Sequence, residues 1–340
     1  MGMTEDDGPS PTAGFLEAFR ARAGAGGAMG FDGFVDLALY NPSVGYYRRA
    51  GARVGRGPGT DFFTASSLGP LFGELLVSAC RSLLGGRDPG GFTFVEIGVE
   101  APGGVMAGVK HPFGAARTVA VAEEMELAGP CVVFSNELFD AQAFRRYRFR
   151  AGAWRELGVQ ARGNELAMVE LSEAAPAPLP ETAPEGALFD APLGATALLQ
   201  RIATQPWTGL FVACDYGRTW EELARALPGG TARAYRRHVQ SNDLLAYPGR
   251  QDLTCHVCWD WLSGALSDHG FDAATVDSQE AFFVRNAGGF LEGAIRAEAG
   301  RFSPRKAALQ ELLHPAHLGQ KFQVLHASRF ALPGSVAALR

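Results

Sequence analysis

The chain has 340 residues, a net charge of −5 and 47% hydrophobic side chains, enough to bury a large core in one elaborated domain or two closely packed ones. Acids and bases are interspersed, so no basic face advertises nucleic acid, and no stretch reaches the roughly 18 uninterrupted apolar residues of a membrane span. The acidic start, Met1-Gly2-Met3-Thr4-Glu5-Asp6-Asp7, is unlike a secretory leader or an Arg-rich transit peptide, so a cytoplasmic protein with no membrane partner is expected.

In chain order, residues 1–12 are expected to be disordered. Helices follow over 15–23, ended by Gly24-Ala25-Gly26-Gly27, and over 34–39, stopped by Asn41-Pro42. A Gly- and Arg-rich loop covers 45–59. A long helix over 68–84 places Leu71, Leu75, Leu76, Ala79 and Leu83 at helical spacing. Residues 13–85 therefore read as a helical N-terminal region that forms part of a cleft, and 86–340 as the main domain, with insertions near 145–190 and 278–318.

The main domain opens with a buried strand over 92–98 that ends on Glu96-Ile97-Gly98. A Gly/Pro-rich patch, a strand near 118–122 and a stronger one over 131–135 come next. Residues 145–171 alternate polar and apolar around Gly163-Asn164, which predicts an antiparallel meander. An Ala/Pro loop over 174–184 precedes a helix near Leu198 and a third buried strand, 209–214, ending on Asp215-Tyr216-Gly217. Helices over 220–227 and 259–269, an extended stretch over 231–239, a strand over 272–276, helices around Leu291 and Leu309 and a last strand over 321–330 complete the chain. Strands alternating with helices favour an α/β fold with a mostly parallel, doubly wound sheet carrying an antiparallel β insertion.

The run Cys131-Val132-Val133-Phe134-Ser135-Asn136-Glu137-Leu138-Phe139-Asp140 is the most informative. It reads as a buried strand entering a polar, acidic helix start, at the strand end where open α/β sheets bind ligands. Glu137 and Asp140 are three apart and would share one helix face. A purely local reading stands beside this one, with Ser135 or Asn136 capping the helix and the acids favouring its dipole. Asp215-Tyr216-Gly217 either shapes the pocket or is a turn. Cys131 and Cys214 read as small buried hydrophobes. Cys255-His256-Val257-Cys258 lacks the second pair a zinc site needs, and His314 and His317 flank Pro315 without a third ligand, so no metal is expected.

Several stretches resemble one family. Tyr40-Asn41-Pro42-Ser43-Val44-Gly45-Tyr46-Tyr47, Asp61-Phe62-Phe63-Thr64 and Pro70-Leu71-Phe72-Gly73 resemble the amino-terminal signature of the MidA family. These are class I S-adenosylmethionine-dependent methyltransferases that include mitochondrial complex I assembly factors. Residues 135–141, Asp215-Tyr216-Gly217, 230–238, 248–257 and 318–325 match it in the same order. The resemblance implies a Rossmann-like methyltransferase fold, S-adenosylmethionine as cofactor and a protein arginine as acceptor. It implies Glu137 and Asp140 as catalytic, with Glu96, Gly98, Asp61, Thr64 and Asn136 at the cofactor. Asp215, Tyr216, His238 and Asp252 would lie at the substrate. A protonated guanidinium is a poor nucleophile, and carboxylates that grip it could orient one nitrogen and offset charge.

The sequence departs from the family's Gly-x-Gly-x-Gly loop, since only Gly98 fits and Glu100 stands where a small residue is expected. The next family strand, whose terminal acid would hold ribose hydroxyls, is expected to be missing. About forty residues separate Gly98 from Asn136, and a parallel crossover alone consumes a dozen or more. Glu123 or Glu124 could substitute for the acid, but the stretch from there to Cys131 is too short for a helical crossover. Residues 118–122 are then expected to correspond to a later strand, with one strand–helix unit deleted. Two functions follow: an active methyltransferase with an altered loop, or an inactive member that binds or assembles partners.

Overall fold

Thr93–Val99 carries β-branched and aromatic residues on both faces, the mark of a strand covered on both sides. It lies inside a six-stranded sheet with the order Thr275–Ser278, Gln323–Arg329, Trp207–Asp215, Gly129–Asn136, Thr93–Val99, Ala115–Ala120. The last four of these run parallel to one another, and Gln323–Arg329 and Thr275–Ser278 join antiparallel. The sheet is therefore mixed. These are features of a computed structural model that describes residues 8–49, 53, 60–61, 65–99, 103–121, 123–173, 176–300 and 302–331.

The described residues divide into two units that are discontinuous in sequence. One draws on Thr64–Leu138, Leu198–Gly217 and Trp259–Arg340 and holds the six-stranded sheet; the other draws on Met1–Phe63, Phe139–Ala197 and Arg218–Cys258. Residues 13–63 and 65–85 of the expected helical region thus fall in different units. In the sheet unit, Pro70–Leu83 starts with proline in its first turn, where the missing N–H costs nothing. It buries Leu71, Phe72, Leu75, Leu76 and Ala79 along one stripe. Phe72 meets Phe283 of the Gln279–Ala297 helix edge-on at 5.9 Å, and meets Phe134 of the sheet at 6.2 Å.

The strand expected over 118–122 lies at 115–120, at the edge of the sheet. Ala115–Ala120 pairs parallel with Thr93–Val99, from Thr93 opposite Ala115 to Ile97 opposite Val119. It is an exposed edge strand on which only Val119 is buried, so no apolar alternation announces it. The chain then returns to Gly129 with no helix among the described residues of 121–128. Eight residues in extended form reach about 26 Å. Running back along about seven strand residues by the register and across two strand spacings needs about 25 Å. A nearly taut loop therefore suffices. Arg117 ties it by donating to the carbonyl of Glu126, and Leu127, fully buried, donates its N–H to Gln205 Oε1 at 2.6 Å.

In the second unit, Ala153–Arg162 pairs antiparallel with Arg145–Arg150, Glu165–Glu170 and Ala28–Gly30, and Leu188–Ala191 extends the sheet. The expected meander is present. Its core joins Phe15, Phe19, Phe31 and Phe34, from helices Ala13–Ala23 and Phe31–Tyr40, to Phe144 and Val159. A separate three-stranded ribbon runs Val239–Ser241, Arg233–Arg236, Asp252–Thr254, all antiparallel. Residues 1–7 lie outside the described residues, but 8–12 are not disordered. Arg250 donates to the carbonyls of Gly8 and Ser10, Tyr247 N–H donates to Pro9, and Thr12 caps the first helix. No helix among the described residues is long and apolar enough to cross a membrane.

Candidate functional site

The predicted helix after Asn136 does not form. Glu137 turns into the left-handed region at φ 51°, where a side chain crowds its own carbonyl, and no helical span covers residues 137–142. Glu137 and Asp140 therefore share no helix face, and neither capping nor dipole stabilisation explains them. Glu137 N–H continues the parallel ladder to the carbonyl of Cys214 at 2.9 Å. Its Oε1 accepts from Asn136 Nδ2 at 2.9 Å. Leu138 N–H donates to Asp215 Oδ2 at 3.1 Å, and Asp215 Oδ1 accepts from Tyr216 N–H at 2.9 Å. Asp215 is wholly buried and spends both oxygens on backbone, so it clamps two strand ends; Tyr216 packs its ring on Phe322 at 4.0 Å.

Two polar atoms at this strand end have no hydrogen-bond partner among the described residues: the Ser135 hydroxyl, on a residue 1% exposed, and Asn136 Oδ1. Buried polar atoms of this kind cost free energy unless a ligand or water completes them. They are polar donors and acceptors where the ends of Thr93–Val99, Gly129–Asn136 and Trp207–Asp215 come together. A polar, nucleoside-bearing cofactor fits that need. Gly98 is a weaker argument. A Cβ there would lie 2.7 Å from Leu138 Cδ1, and its φ is +84°, so packing and backbone alone require glycine.

A glycine turn follows further along the chain. Gly103 and Gly104 take φ of +82° and +57° and open a single turn, Gly104–Met106. Glu96 holds it: its buried carboxyl accepts from Val105 N–H at 2.6 Å, and a Cβ on Gly104 would collide with that carboxyl. Burial pushes the Glu96 carboxyl up to about 7, against a smaller opposing pull from the Val105 N–H. Glu96 thus faces the loop it was expected to precede, and braces it. Glu100 lies outside the described residues.

The other candidates sit in the second unit. Tyr46 OH donates to Asp61 Oδ2 at 2.7 Å, Arg237 N–H donates to Asp61 Oδ1 at 2.6 Å, and His238 N–H donates to the Asp61 carbonyl at 2.8 Å. Asp61 thereby pins a turn in which Arg237 and His238 both have positive φ, 50° and 63°. His238 Nε2 lies 3.1 Å from Thr60 Oγ1. Asp252, buried, accepts from Tyr47 OH at 3.0 Å. Tyr47 stacks on Tyr40 at 5.4 Å, and Tyr40 OH donates to the carbonyl of Ala141, next to Asp140. Asp140 accepts Cys255 N–H through its own carbonyl at 2.8 Å.

Of the expected residues, Glu96, Gly98, Asn136, Glu137, Asp215 and Tyr216 gather in the sheet unit. Asp61, Asp140, His238 and Asp252 gather in the other, and Thr64 lies outside the described residues. The tyrosines 40, 46 and 47 and the Ser135 hydroxyl were not singled out as functional. The signals for them were their place in the matching stretches 40–47 and 135–141, the density of Tyr in the first and one Ser interrupting an apolar strand.

Residues 115–276 match a family described as "Putative S-adenosyl-L-methionine-dependent methyltransferase". The resemblance read from the motifs holds. Over 94% of this chain and 95% of the other, the fold superposes with a TM-score of 0.78 on a Burkholderia thailandensis protein solved with S-adenosyl-homocysteine bound, at 25% identity. A native structure of an uncharacterised protein of the same superfamily and organism gives a TM-score of 0.73 at 26% identity, with the same coverage. No curated protein matches the chain. Family and fold neighbours both support S-adenosylmethionine as the methyltransferase cofactor, and neither favours a member that has lost it.

Proposed function

We propose that the protein is an S-adenosylmethionine-dependent methyltransferase acting on a guanidinium of a protein partner. The observation that carries the cofactor half is the pair of unpartnered polar atoms, Ser135 Oγ and Asn136 Oδ1, at the convergent strand ends. S-adenosylmethionine, when bound, supplies an electrophilic methyl group. Ser135, Asn136 and the loop braced by Glu96 would hold it, and Leu138 over Gly98 would exclude water from one side.

The acceptor half is supported by the resemblance and by the acids around the tyrosines. Methyl transfer needs the acceptor nitrogen aligned with the methyl carbon, so positioning supplies most of the rate. A carboxylate accepting two N–H bonds fixes the plane of a guanidinium. Glu137 in the sheet unit and Asp140 in the other are each candidates for that role, with His238 and Asp252 as further candidates in the second unit. Glu137 keeps a left-handed backbone that costs a non-glycine residue about 1–2 kcal/mol, a strain of the kind that collects at working sites.

Calorimetry with S-adenosyl-homocysteine tests the cofactor half. The wild-type protein is expected to bind it, and Ser135→Ala to bind about tenfold more weakly, the worth of one net hydrogen bond. The same substitution should leave the melting temperature unchanged or raised, because it removes an unpartnered buried hydroxyl. Absence of binding at millimolar ligand would reject the reading.

A further inference from the structure

The tyrosine group already holds a guanidinium, and it comes from the chain itself. The Arg53 guanidinium carbon lies 5.5 Å from the centroid of the Tyr47 ring and 5.9 Å from that of Tyr46. Both distances fall within the range at which a cation is drawn to an aromatic face. The two rings meet nearly at right angles, 78°, at 5.1 Å, so they form a corner rather than a flat stack, and Tyr40 extends it behind Tyr47.

Both hydroxyls of the corner donate to carboxylates, Tyr46 to Asp61 and Tyr47 to Asp252. Each phenol is thereby fixed in orientation, and the acids at the hydroxyl ends add negative charge to the corner. Arg53 also donates to the carbonyl of Arg49 at 3.1 Å. Planar, weakly hydrated guanidinium suits such a corner better than a compact ammonium does.

We infer that the Tyr46–Tyr47 corner, backed by Asp61 and Asp252, is a guanidinium-binding subsite, and that Arg53 occupies it as an internal competitor of an incoming arginine. Its bearing on methyl transfer rests on the function proposed above; the occupancy itself does not. An internal occupant lowers apparent affinity by the fraction of time the subsite is free. Arg53 seated nine-tenths of the time would weaken an external arginine about tenfold. The corner would then admit only an arginine presented at high local concentration, as by a docked protein, and would discriminate against free arginine.

The test is a titration of the full chain with Nα-acetyl-arginine amide, read by calorimetry, with Nα-acetyl-citrulline amide as the uncharged control. Arg53→Ala is expected to bind the arginine compound roughly tenfold more tightly than wild type, and citrulline to bind neither. Tyr47→Leu introduced beside Arg53→Ala should abolish the gain, with an unchanged melting curve showing that the fold is kept. Equal affinity of wild type and Arg53→Ala would overturn the inference, as would equal binding of citrulline. Titration of the same wild-type protein with S-adenosyl-homocysteine reports separately on the methyltransferase reading, so failure of either one is recognised by itself.

Discussion

Glu96 couples a buried charge to the shape of a loop. Its carboxyl ordinarily titrates near 4.5 and is pushed up to about 7 by burial. The folded value lies above the unfolded one, so the stability Glu96 contributes is complete below about pH 4.5 and is lost as pH rises through about 7. The shift is worth about 3 kcal/mol. His256 works in the opposite sense. Burial, reinforced by Arg218 and Arg233, lowers it from 6.5 to about 4, so its contribution is present above pH 6.5 and lost as pH falls through 4. Between pH 4.5 and 6.5 the two slopes cancel. Glu96→Gln, which keeps an acceptor for Val105 N–H, removes one of them. The variant should melt several degrees above wild type at pH 8, with the gap closing by pH 4.5, in a series of thermal melts. A gap that does not change with pH would show that Glu96 is ionised throughout.

At the scale of elements, the taut return from Ala120 to Gly129 is the least ordinary feature of the sheet. Its described residues include no helix to bury, and beside the Arg117 bond to Glu126 one buried side chain anchors it: Leu127, 2% exposed, with its N–H on Gln205. Leu127→Ala should cost about 3 kcal/mol in urea unfolding, the usual loss for a buried leucine cut to alanine. A loss under 0.5 kcal/mol would mean the loop is held elsewhere. The contrast with the strands that were legible is instructive. Thr93–Val99, Gly129–Asn136 and Trp207–Asp215 are buried on both faces and read as apolar runs, and the Arg145–Glu170 meander showed its alternation. Ala115–Ala120 is an exposed edge, Ala-Ala-Arg-Thr-Val-Ala, with nothing for periodicity to detect. The acids at 137 and 140 were visible as candidates, but their helix was not real. Short polar residues after a strand suit a cap and a left-handed turn equally well, and only the ladder to Cys214 and Asp215 decides between them.

For the whole molecule, the family match and the superposition on a structure holding S-adenosyl-homocysteine agree with the motifs, although the glycine loop departs from the common pattern. In this chain glycines 103 and 104, braced by Glu96, make a turn shortly after Gly98. The arrangement keeps open polar atoms at the strand ends, and the central claim is that these atoms receive the cofactor. Hydrogen–deuterium exchange of the wild-type protein with and without saturating S-adenosyl-homocysteine tests that most directly. The account predicts slowed exchange at Gly98–Val99, at residues 103–106 and at residues 136–138. Exchange unchanged in all three segments would contradict it.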